Sequence, residues 1–119
     1  SGCGGKSGEK IDVPAQIQNL TRQDTDARAN ACIELAKAGP NAVAAVKPLI
    51  PVLKDTDALV RRLAAYALGE IGEKAKDAVP ALKELMNDAD NSVAIQASLS
   101  VRAIDPKDPA GQPPPNVPK

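Results

Sequence analysis

Histidine, tryptophan and phenylalanine are absent from the 119-residue sequence, and Tyr66 is its single aromatic residue. Without histidine the chain lacks the commonest general base and a common metal ligand. Two cysteines, Cys3 and Cys32, are too few for a cysteine-rich zinc site or a disulfide framework. Charge of one sign is missing too, since fifteen Lys+Arg balance fifteen Asp+Glu for a formal net charge of +0. That balance excludes bulk attraction to nucleic acid or an anionic membrane as the main activity, and the dearth of aromatics removes base stacking. No run of 18 apolar residues occurs, so no segment reads as a membrane-spanning helix. Neither a cofactor nor a metal is implied.

What remains is aliphatic. Apolar residues make up 43% of the chain, so a core is available, built from Ala, Val, Leu and Ile. Three zones differ in composition. Residues 1–10 are rich in Gly, Ser and Lys and read as a flexible tether. Residues 11–104 carry nearly all the branched aliphatics and read as the folded domain. Residues 105–119 hold six of the eleven prolines, and proline supplies no N–H to a helix or a sheet, so a disordered tail is expected there.

The middle zone repeats with a period of 33 residues. Asp24, Asp57 and Asp90 fall in register, as do Arg28 with Arg61, Ala31 with Ala64 and Ala97, and Gly39 with Gly72. Residues 24–55 and 57–88 share ten identities in 32 positions, the mark of an internal repeat. Each period reads as two helices. In 57–72, Val60, Ala64, Ala67, Leu68 and Ile71 fall on one helical face, with Asp57 as N-cap and Gly72 as stop. Helices are expected near 13–21, 25–38, 41–54, 57–71, 75–87 and 90–104, with a late start near Val46 because Pro48 and Pro51 sit deep in the third. Alanine at the contact rows lets helix axes approach, and no single helix pair buries its apolar face alone.

The motif D-x-x-V-R-x-x-A-A-x-A-L-G-x-I-G at 57–72, followed by A-V-P-A-L-K-E-L at 78–85, resembles a HEAT repeat, and within that family the short bacterial type named after phycobilisome lyases. The resemblance covers about 13–104. It implies an all-α, right-handed α-α superhelix of about three units, an α-solenoid, serving as a non-enzymatic protein-interaction scaffold. It also implies a ladder between successive repeats made by Asp24, Asp57 and Asp90 with Arg28 and Arg61. Ala94 stands where the third arginine would be, and Asp105-Pro106 replaces the third second helix, so the third unit reads as a terminal cap made polar by Ser98, Ser100 and Arg102. The other activity the family suggests is that of an accessory protein or enzyme of the phycobilin lyase kind, which needs a bilin-sized cleft.

Several residues carry competing readings. Ser1-Gly2-Cys3-Gly4 resembles the end of a bacterial lipoprotein signal, which would make Cys3 a lipid-attachment residue and place the protein at the bacterial cell envelope. A chance cysteine in a glycine linker of a larger, cytoplasmic protein is the alternative. Gly4-Gly5-Lys6-Ser7 lacks the upstream glycine and strand of a phosphate-binding loop. Cys32 aligns with Ala65 and Ser98, a small-residue packing row, and reads as a buried thiol. Tyr66 aligns with the apolar Ile33 and Leu99, which suggests partial core burial; an interface anchor is the sharper reading. The surface of the second helices, at Ile50, Lys54, Lys83, Glu84 and Asn87, is the expected docking face for a protein partner. Its mixed charge suits a transient partner and a monomeric chain.

Overall fold

The computed structural model describes residues 10–112. It is all-α, and no strand occurs among the described residues. Helix α1 spans Val13–Asn19, α2 Thr25–Ala38, α3 Val46–Val52, α4 Ala58–Ile71, α5 Val79–Leu85 and α6 Asn91–Ile104. Helices α2, α4 and α6 stack side by side as one layer, and α1, α3 and α5 line the other as an α-solenoid.

The three long helices begin alike. Asp24, Asp57 and Asp90 are their N-caps; their carboxylates accept from the amides of Asp26, Val60 and Ser92 at 3.1, 3.1 and 2.9 Å. Each supplies an acceptor to N–H groups that a helix start leaves unpaired. The first two long helices also stop alike. Gly39 and Gly72 have φ of 57° and 89° with ψ of −133° and −152°, a backbone region that a side chain makes costly. A 3₁₀ turn follows in both repeats, and it breaks at equivalent residues, Ala42 and Ala75. Only after it does the second helix begin, at Val46 and Val79, which accounts for the late start expected from Pro48 and Pro51.

The core is aliphatic, as the composition requires. Val60, Ala64, Ala67, Leu68 and Ile71 on α4 are all buried, and so are Leu49, Val52 and Leu53 of the first repeat and Leu82 and Leu85 of the second. One contact is closer than alanine allows. A Cβ at Gly69 of α4 would lie 2.8 Å from Ser100 Oγ of α6. Ser100 is itself buried, and its hydroxyl donates to the Ala65 carbonyl at 2.6 Å. Ser100 therefore ties α6 to α4 and adds no polarity to the surface, contrary to its reading as a cap residue.

The proline-rich tail also departs from expectation in its first half. Beyond α6 the chain forms a 3₁₀ turn at Pro109–Gly111 that packs on α6, with Gly111 buried against the Arg102 backbone. Asp108 pairs with Lys83 of α5 at 2.7 Å, and the Gln112 side chain donates to the Pro106 carbonyl. Gly111 falls 33 residues after Ala78 and 66 after Ala45, both fully buried in the equivalent turns. Residues 105–112 thus take the place of the turn that follows the long helix in the first two repeats and are not a disordered segment; residues 113–119 and 1–9 lie outside the described residues.

Leu68 has no exposed surface and sits at the middle of this stack. Leu68→Ala is expected to lower the unfolding free energy by about 2–4 kcal/mol through the cavity it leaves. Urea denaturation measures it, and a loss below about 0.5 kcal/mol would place Leu68 outside the core.

Candidate functional site

The inter-repeat turn concentrates the ionic chemistry of the described residues. Arg28 Nε donates to Asp55 Oδ2 at 2.7 Å, and Arg61 Nε to Asp88 Oδ2 at 2.8 Å, each with a second guanidinium nitrogen on the other carboxylate oxygen. The remaining nitrogen of Arg28 donates to the Arg22 and Gln23 carbonyls, that of Arg61 to the Asp55 and Thr56 carbonyls. Each arginine thus clamps the turn before its own helix to the turn that follows the next. The ladder expected from Asp24, Asp57 and Asp90 is in fact carried by Asp55 and Asp88. The physical reason is a division of labour between two carboxylates two residues apart. The second faces its own helix as N-cap, while the first, whose oxygen also accepts from the second's amide at 2.9 Å in both repeats, faces the arginine.

Both ladder carboxyls sit below the ordinary aspartate range. Burial raises Asp55, and the hydrogen bonds from Arg28 and the Asp57 amide together outweigh it. At Asp88 the Arg61 hydrogen bond is the leading cause. Bidentate, well-shielded pairs of this kind are structural fasteners, and every donor on each guanidinium edge facing the turn is occupied. Cys32 is likewise inert: it is a free thiol with no exposed surface, and burial pushes it up to about 12. No group of three or more His, Cys, Asp or Glu among the described residues could hold a metal ion.

The five positions expected to form the docking face separate. Lys54, Glu84 and Asn87 line one shallow groove of about 250 Å³ between the ends of α3 and α5, floored by Leu53, Arg61 and Asp88. Ile50 lies outside it, half-buried against the core. Lys83 is held by Asp108. Cys3 lies outside the described residues.

The apolar surface is on the opposite layer. Leu59 and Tyr66 on α4 and Ile95 and Leu99 on α6 are exposed by 48, 42, 60 and 49%. Between these helices runs a groove of about 440 Å³, lined by Arg62, Leu63, Tyr66, Ser92, Ile95 and Gln96, and it continues past Gly69 and Glu70 to Leu99 and Ala103. Tyr66 lines both stretches, and its alignment with Ile33 and Leu99 marks a row running across α2, α4 and α6 at the solvent side of the layer. The partial core burial expected of Tyr66 is not what the structure shows: its side chain is exposed. Leu59 and Ile95 were not legible as surface residues; their one signal was that they align with the charged Asp26 and Arg62 of neighbouring repeats.

The family model for HEAT repeats matches residues 13–102. No curated protein matches the chain.

The ladder yields a pH dependence. Asp55 and Asp88 titrate lower when folded than when unfolded, so their contribution is full above the unfolded value of about 4 and is lost as pH falls through the folded value. Asp88→Asn is expected to be less stable than the parent at pH 7 and to lose stability less steeply between about pH 5 and pH 2. Chemical denaturation across that range reads it; parallel curves would show that the pair contributes nothing.

Proposed function

The chain belongs to the HEAT-repeat family, and on that premise we propose that it is a non-enzymatic protein-binding scaffold whose docking face is the outer side of α4 and α6. Repeats of this family commonly serve as protein-interaction scaffolds. The observation that carries the reading is the exposure of Tyr66, Ile95 and Leu99 along one groove, with Leu59 exposed on the same helix as Tyr66. These side chains contribute little to the core, which is filled by the residues on the other side of the same helices. Large apolar side chains gathered on an otherwise charged surface mark a contact site, and tyrosine is a frequent anchor in such sites. The groove at Lys54, Glu84 and Asn87, by contrast, offers polar groups around an arginine and an aspartate that already satisfy one another.

A photo-crosslinking amino acid in place of Tyr66 is expected to trap a protein in cells, whereas the same group in place of the exposed Lys74, on the turn after α4, traps none. Absence of any adduct specific to position 66 would refute the docking face.

The proposal extends to where the scaffold is held. Cys3, followed by Gly4-Gly5 and a short polar stretch, suits a lipid-modified cysteine tethering the domain to a bacterial envelope membrane. In a bacterial host, with its native upstream sequence, the protein is expected in the membrane fraction with the intact mass of a lipidated Cys3, and Cys3→Ser removes both. An unmodified, soluble protein would make residues 1–10 a linker.

A further inference from the structure

The docking face of α4 is self-complementary. Arg62, Tyr66 and Glu70 follow one another at intervals of four residues, so they form a single ridge on the helix surface. Arg62 and Tyr66 line the groove, as does Glu70 at its far stretch. Among the described residues, neither Arg62 nor Glu70 takes part in a salt bridge or a side-chain hydrogen bond, in contrast to the engaged Arg28 and Arg61. A ridge with a cation four residues before its centre and an anion four residues after it reads the same, with signs exchanged, when reversed.

When two helices cross at about −50°, ridges of this kind run parallel to each other in the contact. Reversing one copy about Tyr66 then sets each arginine opposite the other copy's glutamate. We infer that the protein docked on this face is a second copy of the same chain, related by a two-fold axis at Tyr66, with Arg62 of each copy paired to Glu70 of the other; this rests on the reading of the face as a protein-docking surface. Such an isologous contact closes on itself and builds a dimer, not a filament. Leu99 and Ile95 on α6 and the half-buried Ile33 on α2 flank the tyrosine and extend the contact across the layer. Three 14-residue helices spaced at the usual 8–10 Å give a face of on the order of 500 Å² per copy, so the pair is small and reversible. Such a dimer would depart from the monomer expected from the sequence.

The test exchanges the charges. Sedimentation velocity of the full chain from about 10 μM to about 1 mM, a range suited to a small interface, is expected to show self-association. Arg62→Glu alone and Glu70→Arg alone each place like charges opposite one another, and each is expected to weaken association by on the order of tenfold or more. An equimolar mixture of the two variants restores opposite charges in both pairs and is expected to associate like the parent. A parent that stays monomeric throughout, single variants that associate like the parent, or a mixture that stays monomeric would each overturn the inference. The crosslinker at position 66 separates it from the wider reading. An adduct of twice the chain mass supports the second copy. An adduct with a different protein alone overturns the second copy and leaves the docking face standing, and no adduct overturns both.

Discussion

Close approach of α2, α4 and α6 is the constraint on which the other features depend. Ala31, Ala64 and Ala97 fall in register on the three helices and are fully buried, and at Gly69 even a methyl group is excluded by Ser100. Short side chains bring the helix axes together, and that approach sets the reach of everything attached to them. An arginine can then span from the turn before its own helix to an aspartate in the next turn. Gly39 and Gly72 redirect the chain at the end of the long helix because their backbones adopt a conformation that side chains resist, and a short 3₁₀ segment then leads into the second helix.

The two junctions between long helices are built differently. At the position where α4 and α6 meet through Gly69 and Ser100, α2 and α4 carry Ala36 and Ala67. The first junction is apolar contact without direction. The second adds a hydrogen bond from a buried hydroxyl to a helix carbonyl, which fixes register as well as distance. The repeat closes with the turn at 105–112, where Lys83 and Asp108 fasten α5 to the end of the stack.

Much of this was legible in the residues. Helix starts and stops followed from aspartate caps and glycine at matching positions, because both devices act locally and need no knowledge of the fold. What depends on two carboxylates competing for one arginine was not. Asp55 and Asp57 recur together, and spacing alone does not say which faces forward and which faces back. Proline content hid the third turn, since the short 3₁₀ segment tolerates proline where a helix would not. The exposed apolar row was hidden for a related reason: Ile33, Tyr66 and Leu99 recur like core residues, and only the packing of neighbours shows that no described residue covers their side of the layer. Tyr66 as an anchor was among the readings the sequence offered, while Leu59 and Ile95 needed the structure.

The fasteners between repeats all join residues close in sequence. Arg28 and Asp55 are 27 residues apart, Arg61 and Asp88 also 27, and Ser100 and Ala65 are 35. Each of them closes a loop of about one repeat, and none waits for the two ends of the chain to meet. Loop-closure entropy therefore stays small at every step, and ordering can begin at either junction and spread to its neighbour. A chain with this arrangement folds quickly for its length, in the range of helical bundles and far from that of β-sandwiches, and its partly folded forms already contain whole native units.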